Sequence, residues 1–301
     1  MSPARLVLAT RRSALALAQA RAFARDLVSS HPGLVVDELH VVTTGDKVTD
    51  IPLAKVGGKG LFTKEIEEAL DRNEADFAVH SFKDVPADLA DRFAIACVPR
   101  REDARDVLVT KSGAKLADLP PGALVGTSSL RRAIQLSLAR PHIVIVPLRG
   151  NVDTRLRKLD AGEVDAIVLA RAGLARLGLA QRITETIDFR SVIPAPGQGA
   201  LAIECRASDA TTRAILAAVS DPETEIAVAC ERGVMAAVEG NCNVPFGAYA
   251  WRNRAGLELR AVLANADGSN IRRTTRAVPW PKNQEQAAEV GREAGKSLLE
   301  T

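Results

Sequence analysis

The chain has 301 residues, 47% of them hydrophobic and 26% charged, an ordinary globular composition that excludes a fibrous or disordered polypeptide. Its length is that of two or three domains. With 40 Lys and Arg against 37 Asp and Glu the net charge is +3, and aromatics make up 3%, so a nucleic-acid partner with its basic face and stacking rings is not expected.

Cys97, Cys205, Cys230 and Cys242 stand too far apart for a C-x-x-C pair or a zinc cluster, and read as reduced thiols of a cytoplasmic protein without a metal. No apolar run approaches the roughly 20 residues that span a bilayer, so no membrane partner is expected. Arg11-Arg12 ahead of the apolar stretch to Ala20 imitates a twin-arginine leader. Gln19 and Arg21 break that stretch too early, and it reads as a helix.

In chain order, Leu6–Ala9 is a strand, Ser13–Val28 an amphipathic helix, Leu34–Val42 a strand and Leu61–Leu70 a helix. Phe77–His80 and Ala94–Val98 are strands, and the charged turn Pro99–Arg105 is a crossover between domains. The pattern then restarts, with Leu124–Val125 leading into a helix at Leu130, a strand at Ile143–Val146, a helix at Val152–Leu159 and a strand at Ala166–Leu169. Two echoes join the halves. Leu70–Asp76 followed by Phe77–Val79 matches Leu159–Asp165 followed by Ala166–Val168, and Thr10-Arg-Arg-Ser13 matches Thr127–Arg132. These imply an α/β fold with two similar domains across a cleft.

Ile193–Gly199 is Pro/Gly-rich and reads as a hinge into a strand at Ala200–Glu204. From Asp221 the grammar changes to a helix ending near Val238, a loop with Cys242, strands near Ala248–Arg252, Leu257–Leu263 and Arg273–Val278, and a helix from Gln284 to Leu299. The expected domains are 1–99 with 200–220, 100–199, and a smaller α+β domain at 221–301.

Three turns combine hydroxyls with arginines: Thr10–Ser13, Thr127–Arg132 and Arg149–Arg155. Each follows a strand and opens a helix, where free N–H groups and the macrodipole favour anions. Arginine adds a planar fork for carboxylate or phosphate, so the expected ligand carries several anionic groups. Val79–Pro86 runs a strand into a loop presenting Ser81, Lys83 and Asp84, and Asp84 is a candidate to steady a cation or move a proton. His80, inside the apolar strand, reads as a core residue. Gly57–Lys64 lacks phosphate-loop spacing, and with Lys55 and Lys59 it reads as a basic lid or as a solvated loop. Cys242 lies between Gly240-Asn241 and Asn243-Val244-Pro245, a turn that suits an exposed thiol. With no histidine adjacent, a covalent attachment point fits better than a nucleophile.

Residues 9–16, 59–67, 80–86, 126–132, 149–156, 196–201 and the Cys242 loop together resemble the porphobilinogen deaminase (hydroxymethylbilane synthase) family. Asn241 stands where that family usually has glycine. The resemblance implies two periplasmic-binding-protein-like domains plus a small third one, and a transferase of tetrapyrrole (haem, porphyrin) biosynthesis. Such enzymes join four porphobilinogens head to tail with loss of ammonia and release hydroxymethylbilane by hydrolysis. It also implies a dipyrromethane cofactor on Cys242 through a thioether, with Asp84 catalytic. Ser81, Lys83, Asp84, Thr127, Ser129, Arg131, Arg132 and Arg155 would hold the cofactor. Arg11, Ser13, Gln19, Arg149 and Arg176 would bind substrate, and Lys55 and Lys59 fall in the lid. A cytoplasmic monomer is expected. The alternative is a non-catalytic two-lobed binding protein for a small polyanion.

Overall fold

A computed structural model describes residues 4–44, 63–238 and 244–300. The chain divides into two units, Met1–Arg101 with Ala200–Glu225, and Glu102–Gly199 with Ile226–Thr301. Residues 4–101 form β1 (Arg5–Arg11), α1 (Ala14–Ser30), β2 (Val35–Val41), α2 (Lys64–Asp71), β3 (Phe77–Ser81) and β4 (Phe93–Cys97). Then come β5 (Asp106–Thr110), β6 (Leu124–Gly126), α3 (Leu130–Ala139), β7 (Val144–Val146), α4 (Val152–Asp160), β8 (Ala166–Ala170), α5 (Arg171–Arg176) and β9 (Glu185–Thr186). The remainder is β10 (Leu201–Arg206), α6 (Ala210–Ala217), α7 (Pro222–Ala237), β11 (Phe246–Asn253), β12 (Gly256–Leu263), β13 (Arg272–Val278) and α8 (Gln284–Leu299).

The first unit is a sheet in the order β2-β1-β3-β10-β4, with β1 parallel to β2 and β3, and β10 antiparallel to β3 and β4. Strand side chains alternate between its two faces. On one face Leu8, Phe77 and Ile203 pack with Phe23 and Leu27 of α1 and Leu216 of α6. Phe23 meets Phe77 edge-on, with centroids 5.9 Å apart. On the other face Ala9 and Ala78 pack with Ile66 and Leu70 of α2. Each large side chain buried this way contributes about 1.5–3 kcal/mol.

The second unit repeats that plan as β7-β6-β8-β5-β9. Again three strands are parallel, and the fourth, β5, runs antiparallel to β8 and β9. The echo seen in sequence recurs atom for atom. Asp76 donates its N–H to Val7 O and accepts Val7 N–H on Oδ2 at 2.7 Å. Asp165 does the same with Leu124, at 2.8 Å. The residues at the preceding turn, Asn73 and Gly162, both have positive φ, 56° and 79°.

Within the second unit a three-stranded antiparallel sheet, β11-β12-β13, carries α8, and α7 packs on α8. The two helices approach until a Cβ on Gly233 would strike Ala288 O and one on Gly291 would strike Cys230 O, so neither position tolerates a side chain. Phe189 packs on Tyr249 and Trp251 at 5.5 and 4.9 Å, seating this sheet against residues 102–199. Buried Glu231 of α7 adds a second tie, accepting Gly197 N–H at 2.7 Å and Ala250 N–H at 2.9 Å.

β5 and α6 are absent from the pattern read along the sequence. Like β3 and β8, β5 is buried on both faces and shows no alternation, but unlike them it lies outside the echoed segments. α6 is only eight residues long and is capped by Asp209, whose side chain accepts Thr212 N–H at 2.9 Å.

Candidate functional site

Parallel strands β1, β2 and β3 all end at one edge of the first sheet, and β10 starts there because Leu201 pairs with Ser81. Arg11 is the last residue of β1. Ser13 caps α1, its Oγ accepting Ala16 N–H at 3.3 Å. Gln19, on the buried side of α1, donates from Nε2 to Ser81 Oγ at 2.8 Å and so fixes the end of β3.

Past Ser81 the chain makes a 3-10 turn, Phe82–Asp84. Phe82 is buried and its N–H donates to Ala200 O at 3.0 Å, and Val85 N–H donates to Phe82 O at 3.1 Å. The anchored turn leaves Asp84 exposed and Lys83 half-buried. His80 lies in the core, with Nε2 2.8 Å from Glu204 Oε2 in an ion-pair contact that lacks hydrogen-bond angles.

The second sheet has the same edge. Thr127 follows β6 and donates its N–H to Val146 O at 2.9 Å, while its Oγ1 accepts Ser129 N–H at 3.2 Å. Ser129 caps α3, its Oγ accepting Arg132 N–H at 3.4 Å. The hydroxyls of Thr127 and Ser129 therefore stand at the positive end of a ten-residue helix.

Arg131 and Arg132 turn inward onto Asp106, which is wholly buried. Arg131 Nη1 donates to Asp106 Oδ2 and to Ile193 O, both at 2.7 Å. Arg132 donates to Asp106 Oδ1 from Nε at 3.0 Å and Nη2 at 2.7 Å, and to Val168 O from Nη1 at 3.1 Å. Burial alone would raise the Asp106 carboxyl. The two guanidiniums outweigh it and hold the carboxyl far below the usual range.

Arg149 and Arg155 flank the start of α4, and Arg155 Nε donates to Gly150 O at 2.7 Å. Arg176 ends α5 and donates from Nη2 to Gly199 O at 2.7 Å. Burial lowers its guanidinium and Glu102 opposes the shift, so it stays charged at neutral pH.

Cys97, Cys205 and Cys230 are buried, as their apolar contexts in the sequence suggest. Burial pushes Cys97 up to about 12, Cys205 to about 11, and Cys230 further still. None forms an appreciable thiolate near neutrality. Cys242, Lys55 and Lys59 lie outside the described residues. Asp106, Gln135, Gln198 and Glu231 were not singled out in the sequence. A carboxylate opening the apolar run Val107–Val109 was the one available sign of Asp106.

The family model described as "Porphobilinogen deaminase, dipyromethane cofactor binding domain" matches residues 6–214, and "Porphobilinogen deaminase, C-terminal domain" matches 225–300. The chain belongs to the porphobilinogen deaminase family. The porphobilinogen deaminase of Sorangium cellulosum (strain So ce56) is 58% identical over 98% of this chain and 99% of that protein. That of Syntrophobacter fumaroxidans is 49% identical over 97% and 93%. Among solved structures, the VFT2 domain of Bordetella pertussis BvgS covers 71% of this chain and 86% of its own, at 16% identity and TM-score 0.43. The family's activity is the hydroxymethylbilane synthase transfer of tetrapyrrole biosynthesis, with porphobilinogen as substrate and a dipyrromethane cofactor. A non-catalytic anion-binding protein is not favoured, because the match extends through the C-terminal domain.

The residues present suit a pyrrole group bearing carboxylates. One carboxylate against two guanidiniums leaves the Arg131–Asp106–Arg132 cluster net positive, beside a helix start with two hydroxyls. Gly247 lies against the same cluster, since a Cβ there would fall 2.8 Å from Ile193 O and 3.3 Å from Arg131 Cδ. Among the described residues no His, Cys, Asp and Glu group has metal-binding geometry, and no helix is long and apolar enough to cross a membrane.

Proposed function

We propose that this chain condenses four porphobilinogens on a dipyrromethane held by Cys242, with Asp84 as the catalytic carboxylate. The match of both family models over 6–214 and 225–300 carries the reading. The bound dipyrromethane supplies the pyrrole carbon to which the first incoming unit is joined. Support for Cys242 comes by elimination, because a thioether at Cys97, Cys205 or Cys230 would need the core to open.

Lys83, Thr127, Ser129, Arg131, Arg132 and Arg155 hold the cofactor's acetate and propionate groups, with Ser81 beside Asp84. Arg11, Ser13, Arg149 and Arg176 take the carboxylates of incoming porphobilinogen, and Gln19 steadies Ser81 next to them. Each charged hydrogen bond contributes roughly 1.5–3 kcal/mol, so several are needed to orient one polyanion. Asp84 accepts pyrrole N–H groups, balances the positive charge that develops as the substrate's aminomethyl group loses ammonia, and takes up the proton released on coupling. Lys55 and Lys59 belong to a lid. We further propose three domains, 1–99 with 200–220, 100–199 and 221–301, in a cytoplasmic monomer without nucleic-acid or membrane partners. Light scattering during size exclusion should return the 32.0 kDa chain mass plus the cofactor.

Asp84→Ala should fold and carry the two-pyrrole mass while kcat falls by about 10²–10⁴. Turnover at the wild-type rate removes Asp84 from the chemistry. Cys242→Ala should have the mass of its sequence alone. Wild-type protein alkylated after unfolding should take up three groups, for Cys97, Cys205 and Cys230. Uptake of four with the pyrrole label retained places the attachment elsewhere.

A further inference from the structure

We propose that Asp106 is a positioning residue of the cofactor site, which holds the Arg131 and Arg132 guanidiniums as one fixed pair for the dipyrromethane carboxylates. The inference rests on the reading that these two arginines bind the cofactor.

Asp106 opens β5 and pairs with Ala170 at the end of β8, so it stands at the same sheet edge as Thr127 and Ser129. Its side chain is wholly buried and both oxygens are engaged. Oδ2 takes Arg131 Nη1, and Oδ1 takes Arg132 Nε and Nη2 together with Gln198 Nε2 at 2.9 Å. Gln198 Nε2 also donates to Ala104 O at 2.6 Å, which binds the two passes of the chain, near 104 and near 198, at this one carboxylate. Arg131 is held from a second side by Ile193 O, itself clamped by Gln135, whose Nε2 donates to Ile193 O at 3.1 Å and whose Oε1 accepts Ile193 N–H at 2.9 Å.

Two buried guanidiniums need a counter-charge, and two carboxylates would balance them. Among the described residues Asp106 is the one carboxylate bonded to both, so this cluster carries one positive charge in a set orientation. A site for an anion can use that surplus, and Asp106 removes the rotational freedom that the two arginines would otherwise have to lose when the ligand arrives.

Full-length Asp106→Asn, Asp106→Glu and Arg132→Met proteins test this. Circular dichroism and thermal unfolding score folding, and intact mass scores both dipyrromethane occupancy and its rate of recovery when apoprotein is given porphobilinogen. A folded Asp106→Asn protein should carry the two-pyrrole mass in fewer than about one chain in ten and load at least about tenfold more slowly. Asp106→Glu keeps the charge and moves the fork by one methylene, so it should fold within about 5 °C of the wild-type midpoint and still load more slowly. Folded Asp106→Asn loading like wild type overturns the proposal. If Asp106→Asn does not fold, Asp106→Glu decides, and loading at the wild-type rate overturns it. Failure of both to fold also overturns it, in favour of a purely structural charge pair. Arg132→Met separates this from the underlying reading. If it keeps full occupancy, the cofactor assignment fails; if it loses the label while Asp106→Asn keeps it, only the present inference fails.

Discussion

The two five-stranded sheets share strand order, the Asp76 and Asp165 staples and a serine cap at the first helix, yet they furnish the edge beyond their parallel strands with opposite chemistry. In the first sheet the buried tie is neutral, Gln19 to Ser81, and Asp84 three residues on is exposed. In the second the charges are drawn inside, with Arg131 and Arg132 on Asp106. The glutamine is common to both, since Gln19 and Gln135 each lie six residues past their cap and each fixes a neighbouring segment. One frame therefore carries either an exposed carboxylate past a neutral tie or a buried cluster of two guanidiniums on one carboxylate.

The difference is largest in energy. Asp106→Ala strands two buried guanidiniums and should cost about 3–5 kcal/mol, whereas Gln19→Leu removes a neutral hydrogen bond and should cost about 0.5–1.5 kcal/mol. Denaturant unfolding of both variants measures this, and equal losses would break the contrast. The staples sharpen it. Asp76→Ala leaves a part-buried strand N–H unpaired, at about 1–3 kcal/mol, whereas Asp165→Ala removes a solvent-exposed bond, at about 0.5–1.5 kcal/mol. Asp76 also receives Arg206 Nη2 at 3.1 Å, so its loss should be the greater. A larger effect at Asp165 would mean that the repeat is one of shape only.

The smallest effect is in acid. In the first unit Arg21 of α1, and then His40, pull the Glu38 carboxyl of β2 down to about 2, with burial opposing. A carboxyl lowered on folding stabilises the folded form above its ordinary range, near 4.5, and that contribution is lost as pH falls toward 2. Glu38 is partly exposed, so screening leaves the effect modest. Glu38→Gln should flatten the unfolding midpoint slightly between about pH 4.5 and 2, and an unchanged acid profile would exclude the pair as a contributor.

Much of this was legible along the chain. Residues 77–80 and 166–169 announced themselves as buried strands, and the echo through Asp76 and Asp165 marked the repeat, because a tight turn into a buried strand leaves few residue choices. The hydroxyl caps at Ser13 and Ser129 were equally plain, since capping is local. β5 is buried on both faces like β3 and β8, but it was hidden because it lies outside the echoed segments that mark those two. Asp106 was hidden because its partners lie 25, 26 and 92 residues away.

The sequence by itself determined the family, the α/β alternation, the duplicated frame and the turns that combine hydroxyls with arginines. All of these rest on local pattern or on contiguous motifs. Only the tertiary structure decided which charges enter the interior and which stay in water. That outcome depends on antiparallel β5 bringing a single carboxylate under two arginines of α3, a meeting set by strand order and not by spacing along the chain.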